Sequence, residues 1–113
     1  MSEINDVFEK QIQFQKMLGF AQDYVDDPGM FASSALGLIS EIGEVLQADK
    51  RWKNNGRNKY YERYEKLKEL ADVFIYFINM CIYSDVLPGE IMSAVNSKIN
   101  ENVYRWKEKV GEK

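Results

Sequence analysis

The 113-residue chain contains no histidine. A Ser-His-Asp triad, a Cys-His pair and every histidine-ligated zinc, haem or di-iron centre are thereby excluded. Cysteine is almost as scarce: Cys81 stands alone, which rules out a disulfide scaffold and a four-thiolate metal site and suits a reducing compartment. Two prolines and seven glycines leave long stretches free to be helical. Neither sign of charge dominates, since 15 Lys and Arg stand against 18 Asp and Glu for a net charge of -3. That balance gives no reason to expect a nucleic-acid partner. No window reads as the ~18 apolar residues of a membrane span. Met1-Ser-Glu-Ile-Asn-Asp lacks the basic start and apolar run of a signal peptide. The expectation is a cytoplasmic protein without a membrane partner, whose chemistry runs on carboxylates, lysine, arginine and tyrosine.

What is present suffices for one core. The chain is 45% hydrophobic and 29% charged, a composition that is neither disordered nor fibrous. Its size fits a single domain over residues 1–113. Three breaks divide it: Asp26-Asp27-Pro28-Gly29, Lys53-Asn54-Asn55-Gly56 and Asp85-Val86-Leu87-Pro88-Gly89. Each is turn chemistry, because proline presets φ and glycine or asparagine accepts a positive φ. The intervening runs are too long for strands and predict four helices, at about Ile4–Tyr24, Met30–Trp52, Lys59–Ser84 and Pro88–Lys109. The fold expected is all-α. In the second run Leu36, Ile39, Ile42, Val45 and Leu46 recur at helical steps, and Ile39, Ile42 and Leu46 point to the inward direction. The third run is apolar nearly all round from Leu70 to Ile82, which predicts a central helix covered on most sides.

The polar residues of that third run are ordered. Glu69, Asp72, Tyr76, Asn79 and Tyr83 follow steps of three and four and form one stripe. A carboxylate on an apolar helix is costly unless it is paired or bound to metal. On the second run Glu41 and Glu44 are again three apart. Two antiparallel helices would bring Glu41, Glu44, Glu69 and Asp72 together, where they repel one another unless a cation sits between them. A single Glu-x-x-Glu is ordinary on a solvated helix, and an ion pair with Lys or Arg would also satisfy Glu69 and Asp72. Two pairs on neighbouring helices, in a chain without histidine, favour a metal site. All-oxygen ligation selects Mg²⁺ or Mn²⁺, and no loop resembles a calcium site.

These residues carry a resemblance. Glu41-Ile-Gly-Glu44 followed by Glu69-Leu-Ala-Asp72 is similar to the signature of the all-α NTP pyrophosphohydrolases, the superfamily of MazG-like proteins, dimeric dUTPases and dCTP pyrophosphatases. Leu38–Val45, Leu70–Tyr76 and Lys98-Ile-Asn-Glu-Asn102-Val-Tyr-Arg105 resemble family sequence as well, over about residues 14 to 106. The resemblance implies a four-helix MazG-like domain that hydrolyses a nucleoside triphosphate to the monophosphate and pyrophosphate in nucleotide-pool house-cleaning. It implies Mg²⁺, with Mn²⁺ able to substitute, held by the catalytic carboxylates Glu41, Glu44, Glu69 and Asp72. It also implies that Lys98, Asn102 and Arg105 bind substrate. Lys and Arg suit phosphate oxygens, although a basic helix end on its own is explained by the helix dipole. Tyr76 corresponds to a tyrosine that contacts nucleotide in the dCTP pyrophosphatase branch, and it equally suits a core tyrosine. Asn79 reads as a base-reading amide or a core bond. Trp52 lies one residue away from a stacking tryptophan of that branch, with dimer packing as the competing role. Phe14 and Gln15 resemble first-helix positions of the base pocket, with ordinary core as the competing role for Phe14. The basic turn of Lys50, Arg51, Lys53, Arg57 and Lys59 either attracts an anionic substrate or is simply solvated.

Two other readings remain at this level: a phosphoribosyl-ATP pyrophosphohydrolase, and a non-catalytic helical nucleotide-binding or regulatory module with the carboxylates as an ion-pair core. A homodimer or homotetramer is expected, both from the resemblance and because three other helices barely cover a third helix that is apolar all round.

Overall fold

The computed structural model describes residues 2–53 and 61–111. Among these the chain is all-helical: α1 (Glu3–Met17), α2 (Pro28–Ala48), α3 (Arg63–Ile82) and α4 (Pro88–Gly111). The turn residues Asn54, Asn55 and Gly56, together with Arg57 and Lys59, lie outside the described residues.

The helix ends follow from local chemistry. α1 starts where the Ser2 side chain accepts a hydrogen bond from the Asn5 amide. It stops at Met17, well short of Tyr24, because Gly19 adopts φ +80. The Gly19 amide then donates to the Lys16 carbonyl and the Phe20 amide to the Gln15 carbonyl, a Schellman closure that satisfies the last turn. α2 begins before Met30 because Asp27 caps it through the Met30 amide and Pro28 fits the first turn. α4 opens on Pro88, with the Glu90 carboxylate accepting from the Leu87 amide.

α2 and α3 form an antiparallel hairpin that makes most of the interhelical packing. Its open end is joined to α1 through a small knot of backbone bonds. The Val25 and Asp27 amides donate to the Ile82 and Tyr83 carbonyls, each at 2.9 Å. This ties the α1–α2 connection to the α3–α4 connection. The core sits there, built from Phe8 and Ile12 of α1, Ala21, and Ile78, Cys81, Ile82 and Tyr83 at the end of α3.

The packing corrects the expected inward face of α2. Ser34, Ala35, Leu38, Glu41, Val45 and Ala48 are buried or half-buried, at helical steps of three and four beyond Ala35, whereas Ile39, Ile42 and Leu46 are exposed. α3 takes the arc containing Gly37, against which the Tyr76 ring lies so closely that a Cβ there would fall 2.3 Å from it. The absence of a side chain lets the two helices approach. The polar stripe of α3 faces the interior as expected: Glu69, Asp72 and Tyr76 are half-buried, and Asn79 and Tyr83 are buried. α3 is not covered on most sides, however, because Leu67, Leu70, Phe74 and Ile75 remain exposed.

α4 leaves the rest of the chain. Ile91 packs on the core, but every residue from Met92 to Gly111 is exposed. The radius of gyration is 17.8 Å, against about 13 Å for a compact domain of this length. α2 also has 21 residues and a mean hydropathy of 1.2 over its most apolar stretch, so by length and composition alone it meets the minimum for a membrane span. Glu41 and Glu44 interrupt its apolar run.

Candidate metal centre and adjoining pocket

The hairpin brings three of the four expected carboxylates together. Glu41 of α2 and Glu69 and Asp72 of α3 each offer an oxygen, and these oxygens all lie within 4.8 Å of one another. Glu41 sits on the α3-facing arc of its helix, and Glu69 and Asp72 are one turn apart on α3, so the packing that buries Val45 and Tyr76 also aims these groups at one point. Glu44 is exposed and stands off from that point, yet it shares an open groove of about 450 Å³ with Glu69, Glu65, Lys50 and Tyr61.

Like charges at this separation disfavour ionisation. Glu41 is pushed above the ordinary carboxylate range, first by partial loss of water, then by Asp72, Glu69 and Glu44, and by a hydrogen bond with Glu69. Among the described residues none of Glu41, Glu69 and Asp72 pairs with a lysine or arginine. Among those residues, no ion pair balances them. Three hard oxygen donors on facing helices, all half-buried, form a donor set suited to Mg²⁺ or Mn²⁺.

The loop end of the hairpin is held by a cluster that no spacing in the sequence announces. Asp49 takes three hydrogen bonds from Arg51, at 2.8, 2.7 and 3.1 Å from Nε, Nη2 and the amide, and a fourth from Lys66 Nζ at 2.7 Å. These bonds, those from Arg51 foremost, hold its carboxyl far below the ordinary range. Arg51 also stacks over the Tyr61 ring, 3.4 Å from its centroid. Arg51 is thus committed to this clamp and is not a free cation for substrate. Trp52 is exposed and donates to the Leu46 carbonyl at 3.3 Å, on the outer side of the hairpin.

Lys98, Asn102 and Arg105 are exposed on α4, which packs against α1. Arg105 donates to Asn102, and both Lys98 and Arg105 pair with Glu101 on their own helix. The chain does not join them to the carboxylates through any contact among the described residues.

A second concavity of about 290 Å³ continues along α3 from the carboxylates, where Tyr76 and Asn79 meet Gln11, Phe14 and Gln15 of α1 and Ser34 of α2. Gln15 and Asn79 are both buried, and Gln11 Nε2 donates to Asn79 Oδ1 at 2.9 Å. Ser34 carries no spacing signal in the sequence. Gln11 lies four residues before Gln15, so a polar pair on the same face as Phe8 and Ile12 was the available sign.

No family model matches the chain, and no curated protein matches it.

Proposed function

We propose that this protein is a Mg²⁺-dependent nucleoside triphosphate pyrophosphohydrolase, converting a (d)NTP and water to the (d)NMP and pyrophosphate. The observation that carries this reading is the meeting of Glu41, Glu69 and Asp72 from two helices, with no lysine or arginine among the described residues paired to them. The order of the motif, Glu41-Ile-Gly-Glu44 then Glu69-Leu-Ala-Asp72, supports it through the resemblance to the all-α pyrophosphohydrolases.

Glu41, Glu69 and Asp72 would hold the cation, and Glu44 borders the groove beside them. A divalent cation bound there supplies positive charge for the triphosphate and a more acidic water. A glutamate of the cluster would take the proton as water attacks the α-phosphorus and the bond to the bridging oxygen of the pyrophosphate breaks. Lys98, Asn102 and Arg105 would bind phosphate or sugar, and because α4 stands away from its own hairpin, they would act on a second subunit's site. A homodimer or homotetramer is part of the proposal for that reason.

The test is turnover of purified protein with nucleoside triphosphates, with and without Mg²⁺, scoring the products. Monophosphate and pyrophosphate appearing only with metal support the reading. Diphosphate and orthophosphate as first products overturn it, as does turnover unaffected by chelation.

A further inference from the structure

The polar stripe of α3 runs from the carboxylates into the 290 Å³ cavity, whose walls include the aromatic rings of Phe14, Phe20 and Tyr76. Such a cavity suits a single heteroaromatic ring system, since aromatic faces stack on it and a few polar groups orient it. What matters is which polar atoms face inward.

Tyr83 settles the first. It is 1% exposed, and its hydroxyl has one partner among the described residues, Gln15 Oε1 at 2.6 Å. Burial, then the charge of Asp27, keeps the phenol protonated. A buried hydroxyl with one partner donates to it, because an unmade O–H bond is costlier than an unused lone pair. Gln15 therefore turns its oxygen to Tyr83 and leaves its Nε2 hydrogens free. The second amide is set by Gln11, whose Nε2 donates to Asn79 Oδ1 and leaves the Asn79 Nδ2 hydrogens free. Gln15 and Asn79 are only 5% and 8% exposed, and both line the cavity. Neither nitrogen has a protein partner among the described residues, and no fully buried polar atom there lacks one. These two donors therefore open onto the cavity.

Resting on the nucleotide reading above, we infer that the cavity takes the substrate's base and selects keto bases (uracil, thymine, guanine, hypoxanthine) over the amino bases cytosine and adenine. A carbonyl such as O4 of uracil or O6 of guanine accepts from an inward amide. The amino group at the same position in cytosine or adenine would set donor against donor and leave both unpaired. Asn79 stands seven residues beyond Asp72, about 10 Å along the helix. That separation places a base at Asn79 and a phosphate at the carboxylates on either side of one ribose.

The experiment compares dUTP, dTTP, dGTP and dITP with dCTP and dATP by kcat/KM with Mg²⁺, on the full chain. Keto substrates are expected to lead by about tenfold or more. Asn79→Asp, checked for helicity by circular dichroism, replaces a donor with an acceptor and should shift the ratio toward dCTP and dATP. Should that variant not fold, the wild-type ratio alone decides. Equal or better turnover of dCTP and dATP overturns the inference and leaves the hydrolase reading intact. If no triphosphate is turned over, the hydrolase reading falls and calorimetry with the monophosphates decides the cavity: UMP and GMP binding ahead of CMP and AMP upholds it. Binding without that preference, or no binding, overturns it.

Discussion

Glu41 is the residue at which the electrostatics of the site can be measured directly. Its raised pKa means that the folded, metal-free protein holds a proton there more tightly than the unfolded chain does. Stability contributed by this group therefore increases as pH falls from its raised folded value toward the ordinary 4.5, and is lost as pH rises again. Asp49 acts in the opposite sense and in a lower window. Its depressed pKa contributes stability above the ordinary 3.8 that disappears as pH drops below it. Thermal melts of metal-free protein should thus show Glu41→Gln flattening the profile above about pH 4.5, while Asp49→Asn flattens only the acid limb. Saturating Mg²⁺ should remove the Glu41-dependent part, and a profile unchanged by Glu41→Gln would contradict the shared charge. For function, Asp72→Ala should lower turnover by more than ~100-fold while circular dichroism stays helical, since even partners of metal ligands are worth up to about that much.

At the scale of elements, the α2–α3 hairpin depends on one missing side chain. The Tyr76 ring occupies the space that a Cβ on Gly37 would need, at 2.3 Å from the nearest ring atom. Gly37→Ala must displace the ring or part the helices, and overpacking of this kind costs about 1–3 kcal/mol. Urea denaturation should show that loss, and affinity for nucleotide should fall with it, because Tyr76 also walls the second cavity. Unaltered stability would mean that the ring swings clear.

Much of this arrangement is legible in the sequence. Turn residues separated the helices, and the steps joining Glu69, Asp72, Tyr76, Asn79 and Tyr83 identified the inward stripe of α3. The inward face of α2 was misjudged because hydrophobicity alone ranks Ile39, Ile42 and Leu46 above Ser34 and Gly37, whereas close approach favours the small residues. The Asp49 clamp was unreadable for another reason. Lys66 lies seventeen positions from Asp49 and meets it only because the hairpin closes.

The whole molecule exposes more surface than a lone chain of its size should. Its accessible area is 8378 Å², about 2,000 Å² above the ~6,400 Å² expected for a folded monomer of this mass. A standard protein–protein interface covers about 800 Å² of each partner, so the excess can accommodate more than one. The exposed surface is ordered rather than scattered. On α4, Met92, Val95, Ile99, Val103, Trp106 and Val110 recur at steps of three and four along one side. On α2, Ile39, Ile42 and Leu46 form a second apolar stripe. A 24-residue helix with no buried residue, tied to the chain by Ile91 and a short contact with α1, has little tertiary packing to hold it, and most helical stability in proteins comes from such packing. The proposed assembly supplies it by laying one protomer's α4 on the hairpin of another, which carries Lys98, Asn102 and Arg105 toward that protomer's carboxylates. Sedimentation equilibrium at micromolar concentration should therefore find a multiple of 13.2 kDa. Ile99→Asp with Val103→Asp, which buries charge in the proposed interface, should weaken association by about 100-fold or more. Turnover should fall in parallel with dissociation and recover as protein concentration is raised. A 13.2 kDa species that turns over nucleotide at full rate would show that one chain holds a complete site, with α4 serving some other purpose.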